Sequence, residues 1–556
     1  MDVGNCAAEA ITEAAGIPRN PTGAGRWRHR TVVVGALGIL LLVSGCTKVG
    51  PDFVKPDAPI AEQWSETGEL QLIPTQTDHE DWWEAFDDPV LDKLVNEAYN
   101  QNLTLQIAGL RIIEARAQLG LAAGSAWPQQ QQATLGAAYS SPSDNTAGSA
   151  FLNDSWNYST GVEIGWEIDF WGKFRRGIES ADANLLASIA DYDTVLVSLT
   201  ADVANTYVVI RTFQERLTIA RENVKIQERS FKIADVRFRN GATTELDVQQ
   251  ATTQLLNTQA SIPSLEGQLR QAENSLSILL GKPPGEIQEI LGQDGRIPSP
   301  PTEVAVGIPA DLLRRRPDVR GAELQAAAQS ALIGVAKADF YPSVALLGSI
   351  GLSATGSSNT TASGNSGIGE WFTGDSLTYM GGPTVTWNIF NYGQISNNVR
   401  TQDARLQQLL VNYQNVVLQA AQEVEDSTVG FVRSQEQARF LNKSVTSALR
   451  SVDLAIIQYR DGATDFTRVL NSQQALIGQQ DQSTVARGQI AQNLVSMYRA
   501  LGGGWQLRAG RDFIPEATKD VMSERTNWGN ILTPEDQETL IPPSTTPDDS
   551  YRWPRW

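Results

Sequence analysis

Histidine and cysteine are nearly missing: the 556 residues hold two of each. Once the leader argued below is set aside, only His79 and Cys46 remain. Cys/His zinc sites, Ser–His triads and disulfide frameworks therefore lack their parts, and neither a metal nor a cofactor is expected. Hydrolysis by paired carboxylates survives that test. Positive charge is also short, with 44 Lys+Arg against 63 Asp+Glu, a net charge of −19 and no basic stripe. That argues against nucleic acid as a partner, because a basic face must neutralise phosphates. Proline is absent from two long stretches, Pro142 to Pro263 and Pro383 to Pro515. Ala, Gln, Leu, Glu and Arg dominate there, so Lys173–Arg237 and Ile395–Tyr459 read as helices that could each reach about 95 Å, longer than any compact core.

Residues 1–45 read as a secretory signal. Arg26-Trp-Arg-His-Arg30 is followed by an apolar run from Thr31 to Val43 and then Ser44-Gly45-Cys46. The run is too short to span a bilayer. Val43-Ser44-Gly45-Cys46 resembles a lipobox, in which the new N-terminal cysteine carries N-acyl and S-diacylglycerol groups. An ordinary signal with an incidental cysteine is the other reading. Several acyl chains at about 0.8 kcal/mol per buried CH₂ would hold the protein on a membrane permanently. Thr47, rather than Asp, after the cysteine points by the sorting pattern to the outer membrane.

The chain repeats itself. Phe238-Arg-Asn-Gly-Ala-Thr243 recurs as Tyr459-Arg-Asp-Gly-Ala-Thr464, Trp166 as Trp387, and Leu280-Gly281 as Leu501-Gly502, all 221 positions apart. Trp127-Pro128 matches Tyr341-Pro342 at a spacing of 214, so the second half carries seven extra residues, assigned to the Gly/Ser/Thr/Asn-rich run Ser353 to Gly369. This period means a duplicated domain, not a solenoid. The expected units are an anchored segment and belt over 46–101, repeat one over 102–285, repeat two over 308–507, and a tail over 508–556. Each repeat opens with a helix, Asn102–Ala126 or Asp318–Asp339, stopped by the aromatic–Pro pair. A strand hairpin follows, at about 131–140 with 159–170 and about 343–352 with 379–390, joined by loops at Ser141–Asn157 and Ser353–Thr378. Val162, Ile164, Trp166 and Ile168 alternate with Glu163, Gly165, Glu167 and Asp169, the period of a two-faced strand. The long helix then turns at Gly241 or Gly462 and returns through Glu245–Leu280 or Phe466–Leu501. Two hairpins with one lipid-like face leave open edges, which a bilayer does not tolerate, so several copies must close the sheet.

Four passages carry a family resemblance: Asp81-Trp-Trp-Glu-Ala-Phe-Asp-Asp-Pro-Val-Leu91, Ile308-Pro-Ala-Asp-Leu-Leu-Arg-Arg-Arg-Pro-Asp-Val-Arg320, the duplicated Gly-Ala-Thr tips and Leu501-Gly-Gly-Gly-Trp505. They resemble the TolC-like outer-membrane factors in their lipoprotein branch. The resemblance implies a mainly α fold with a membrane β-barrel: a homotrimer with four strands per protomer and twelve in all, set in outer-membrane lipid above an α-helical tunnel. It also implies a periplasmic adaptor and an inner-membrane, proton-driven transporter as partners, and contact of Gly241, Ala242, Thr243, Gly462, Ala463 and Thr464 with the adaptor. Glu163, Glu167 and Asp169 would line an acidic lumen, and Trp166, Trp171 and Trp387 would belong to an aromatic girdle. Arg314-Arg315-Arg316-Pro317 reads as a structural turn with ion pairs.

The gate departs from the pattern. Relatives ring the closed aperture with acids six and nine positions after the second tip glycine; here those positions are Arg468 and Asn471. Asp247 and Tyr459 keep the family's identities. Since 468 − 247 = 221, Asp247 and Arg468 occupy equivalent places in the two halves. The expectation is that they alternate around the aperture and lock it by ion pairs; the alternative is that Arg468 points outward. The functional expectation is an exit duct for drugs or other small molecules in a tripartite pump. A type I protein or peptide secretion channel, a carboxylate hydrolase on a coiled-coil scaffold and a structural lipoprotein are the alternatives.

Overall fold

The computed structural model describes residues 48–57, 72–73, 80–143, 145, 154–292, 295–300, 304–305, 315–357 and 369–533. The leader, Cys46, Ile308–Arg314, most of the Ser353–Gly369 insertion and the end of the tail lie outside the described residues. Helices α1 (Pro89–Gln101) and α2 (Leu103–Gly124) lead into strands β1 (Gln130–Ser140) and β2 (Ser155–Ile168). Helix α3 (Lys173–Arg239) descends and α4 (Glu245–Leu279) returns. The second half repeats this as α5 (Pro317–Ala338), β3 (Ser343–Ser357), β4 (Leu377–Thr386), α6 (Gln394–Arg460) and α7 (Phe466–Ala500), and α8 (Glu516–Arg525) follows.

The duplication is metric. Helices α3 and α6 are both 67 residues long, α4 and α7 both 35, and α2 and α5 both 22. At ~1.5 Å per residue the long pair reaches about 100 Å. Their ends are set by glycine. Gly172 and Gly393 are left-handed just before α3 and α6, and Gly241 and Gly462 just after them. Each tip closes with the same pair of backbone bonds: Gly241 N to Phe238 O (2.9 Å) and Ala242 N to Arg237 O (2.8 Å), against Gly462 N to Tyr459 O (3.0 Å) and Ala463 N to Gln458 O (2.8 Å). This cap satisfies terminal carbonyls and requires a positive φ that glycine adopts without a Cβ clash.

The main core lies midway along the long helices. Trp82 and Trp83 are buried there, with Trp82 stacked on Tyr498 at 5.3 Å. Asp88 caps α1 through Val90 N (3.0 Å) and accepts the Tyr207 hydroxyl at 2.7 Å, fastening α1 to α3. Buried Arg316 donates to Asp318, to Glu423 of α6 (2.7 Å) and to the Ala500 carbonyl at the end of α7 (2.6 Å). That arginine of the triple-Arg passage is a structural joint, with Pro317 opening α5. The C-terminal segment wraps this level as well. Ile514 and Met522 pack on Ile113 of α2, flanked by Trp528 and Ile531, and Arg508 makes a bidentate pair with Asp193 of α3.

The four strands form one antiparallel sheet in the order β1-β2-β3-β4. Register runs from Gln130 opposite Gly165 to Ser140 opposite Ser155, from Ser155 opposite Ser357 to Ile168 opposite Val344, and from Ser343 opposite Thr386 to Leu352 opposite Leu377. Strand β2 starts inside the expected loop, and β4 stops before Trp387, where Ile389 N bonds back to Trp387 O (3.0 Å) in a tight turn. The strand expected to run to about residue 390 thus ends at Thr386, and the chain turns there before α6.

Candidate functional site: a membrane sheet and a closing tip

Alternation gives the sheet two unlike faces. Leu135, Val162, Ile350, Tyr379 and Val385 stand on one side, all exposed, Tyr379 by 81% and Leu135 by 77%. Glu163 and Glu167 stand on the other, with Gln132, Ser349 and Thr384. Large apolar side chains on a face that no other described element covers identify a surface meant for something other than water.

Two aromatic bands bound that face. Near the helices, the Trp166 indole donates to Ala126 O (3.1 Å), its equivalent Trp387 to Phe340 O (3.0 Å), and Trp171 to Pro342 O (2.8 Å). At the far end, ring centroids follow one another from Tyr139 to Trp156 (5.4 Å), Trp156 to Tyr158 (6.1 Å), Tyr158 to Trp371 (5.4 Å) and Trp371 to Phe372 (4.8 Å). Trp156 and Trp166 are ten residues apart on β2. At ~3.4 Å per residue and a tilt of ~40° the bands are separated by about 26 Å, the height of an outer-membrane apolar belt.

The other end of the molecule is the double tip. Tyr459 is buried, and its hydroxyl donates to Asp247 Oδ2 at 2.9 Å; Thr243 Oγ1 donates to the same oxygen. Burial pushes the Tyr459 phenol up to about 12, so it remains a donor at any physiological pH. The Arg237 guanidinium lies over the Tyr459 ring (4.7 Å to its centre) and donates to the Tyr459, Arg460 (3.3 Å) and Ala242 (3.3 Å) carbonyls. Behind it, Ala234, Ala251, Ala455, Phe466 and Val469 form a small apolar plug. Above the plug, polar pairs join α3 to α7: Gln473 to Ser230 (2.7 Å), Asn223 to Gln480 (2.7 Å), and Arg216 to Asp481 (2.7 Å). One half of the duplication is thereby bolted to the other down to the tips.

Residues 94–282 and 308–503 match the family described as Outer membrane efflux protein. The chain belongs to that family. It is 32% identical to Nodulation protein T of Rhizobium leguminosarum bv. trifolii, over 84% of this chain and 96% of that protein. It is 29% identical to the probable outer membrane lipoprotein SilC of Salmonella typhimurium, over 84% of this chain and 98% of that one. The solved outer-membrane channel OprN is 30% identical, with a TM-score of 0.75 covering 83% of this chain and 100% of that one.

This efflux protein of the outer membrane departs from the sequence expectations at Asp169. Asp169 falls beyond the end of β2, where its carboxylate accepts Phe174 N (3.3 Å), Arg175 N (2.9 Å) and Arg175 Nε (3.2 Å). It neutralises the start of α3 and is not a free acid on the strand face, because the ladder ends one residue before it. Within the chain Asp247 is joined by Tyr459, not by Arg468. Arg468 is exposed in the first turn of α7, and its side chain has no partner among the described residues. Asn471 is exposed one turn further on, and Gly241, Ala242, Gly462 and Ala463 form the exposed surface of the tips. The far aromatic band and Arg237 went unread in the sequence, the first because Ser/Gly/Asn-rich flanks look like loop, the second because nothing tells Arg237 from its neighbour Arg239 before the glycine turn.

Proposed function

We propose that three copies of the chain close their sheets into one twelve-stranded barrel in outer-membrane lipid, forming a passive duct for drugs or other small molecules. The apolar face meets lipid, Glu163 and Glu167 line the lumen, and the acylated Cys46 anchors each copy. The ~100 Å helices carry the duct through the periplasm to a Gly-Ala-Thr tip, which a periplasmic adaptor engages and a proton-driven inner-membrane transporter supplies. No residue of the duct itself is assigned a catalytic role. One observation carries this reading: an open-edged sheet, lipid-like on one face and bounded by two aromatic bands, continues directly into helices closed at their far ends.

The tips are shut by the Asp247–Tyr459 bond inside each copy, while Arg468 of one copy meets the free oxygen of Asp247 in the next. Purified, acylated protein should have the mass of a trimer in detergent and conduct little in a planar bilayer. A monomer that never conducts removes the duct. Conductance of Arg468→Ala that stays at the wild-type level removes the pairing between copies and leaves the duct. Mass spectrometry of the mature chain should place an acylated Cys46 at its start; a first residue other than Cys46 removes the anchor.

A further inference from the structure

The joint between the two halves contains an aromatic latch whose counterpart the single chain leaves open. Trp171, just before the glycine that opens α3, stacks on Tyr341 with ring centres 4.5 Å apart and planes 22° apart, and donates to Pro342 O at 2.8 Å. The latch pins the strand-to-helix turn of the first half onto the helix-to-strand turn of the second. The repeat spacings of 221 and 214 place Tyr392 at the position of Trp171 and Trp127-Pro128 at the position of Tyr341-Pro342. Gly393, like Gly172, is left-handed. Tyr392 is 99% exposed and Trp127 57%, and they sit on the two outer flanks of the structure, one next to β4 and the other next to β1, the two open edges of the sheet.

Resting on the trimer reading, we propose that Tyr392 of each copy stacks on Trp127 of the partner subunit, its hydroxyl replacing the Trp171 indole as donor to the partner subunit's Pro128 carbonyl. The surface is a continuation of an interface already built inside the chain, so its occupant is a second copy of the same chain. Two features differ from the internal latch. The Lys173–Asp339 ion pair (3.0 Å) beside Trp171 has no counterpart, because the equivalent positions are Gln394 and Ser125. The latch between copies therefore lacks the ion pair that salt would screen beside the internal one. Tyr392 also has a left-handed backbone (φ 49°), which Trp171 does not share, so seating it turns that residue back into the ordinary region.

The test places cysteines at both sites, Tyr392→Cys with Trp127→Cys, in full-length protein purified from membranes and treated with a short bifunctional thiol reagent. Mass in detergent is measured on the same sample before treatment. The expected result is a trimer that becomes covalent in the double variant, and stays separable in either single variant and in Tyr392→Cys with Leu135→Cys. A trimer that does not cross-link, or that cross-links equally with position 135, overturns the latch while leaving the trimer. A monomer overturns both. Without cysteines, Tyr392→Ala should lower the temperature at which the oligomer comes apart in SDS, equally at low and high salt, and Tyr392→Trp should restore it. A midpoint unchanged by Tyr392→Ala overturns the proposal.

Discussion

Replacing Arg508 by Met should destabilise the protein by about 3–5 kcal/mol, because the change strands a carboxylate that is already almost fully enclosed. Asp193 and Arg508 are 5% and 2% exposed at their side chains, and the guanidinium is held between the Trp505 and Phe513 rings at 5.5 Å from each. Burial raises the Asp193 carboxyl from 3.8 to about 6, and Arg508, with a smaller contribution from Arg320, pulls it back only in part. Tyr192 and Tyr99, the other titratable groups there, are also raised by burial and stay neutral. Folded protein therefore holds a proton between about pH 4 and pH 6 that the unfolded chain has released. The contribution of Asp193 to stability is full below about 4, declines as the pH rises to about 6 and is level above. Without Arg508 the carboxyl rises further, so the deficit of Arg508→Met should be greatest at pH 8 and shrink toward pH 5. Denaturation midpoints at the two pH values check this. Adding Asp193→Leu to Arg508→Met should recover most of the loss, since two apolar groups replace a stranded charge. A double variant no better than the single would mean that Arg508 acts through its ring contacts alone.

The duplication explains how much of this molecule was legible. Glycine and proline mark the ends of the long helices, and two copies of each mark, 221 residues apart, cancel local ambiguity: α3 begins at Lys173 and α7 at Phe466, where the sequence reading starts them. The strands were harder to delimit. Trp156 sits among Ser, Asn and Tyr inside the expected loop, and such a segment becomes strand only because neighbouring strands supply hydrogen bonds, which is information about pairing rather than composition. Arg508–Asp193 spans 315 positions, and nothing local tells an arginine in a polar tail from one that closes the core. The tip was half legible. Asp247 and Tyr459 stood out by resemblance, whereas their bond to each other and the Arg237 clamp depend on the relative height of two hairpins, which the 221-residue period leaves free.

Breaking the tip latch should open the duct without unfolding it. Tyr459→Phe keeps the ring that Arg237 covers and the edge contact with Phe466 (5.2 Å, 70°) but removes the hydroxyl that Asp247 accepts. A hydrogen bond of this kind is worth about 1 kcal/mol net, and in the proposed trimer three of them around one aperture would make about 3 kcal/mol, roughly a hundredfold in the ratio of open to closed ducts. Asp247→Ala should do more, since it strands the Thr243 and Tyr459 hydroxyls together. Arg237→Ala should exceed either, because it removes the carbonyl contacts as well as the cation on the ring and so frees α3 from the second tip. The order expected in single-channel recordings is wild type, Tyr459→Phe, Asp247→Ala, Arg237→Ala, with trimer mass and thermal midpoint nearly unchanged because the main core lies far up the helices. If Tyr459→Phe conducts no more than wild type while Arg468→Ala opens, closure lies between copies and the Tyr459–Asp247 bond only sets the height at which the hairpins pack. If neither opens, the aperture is held by the apolar plug of Ala234, Ala251, Ala455, Phe466 and Val469, and Val469→Ser becomes the change that should release it.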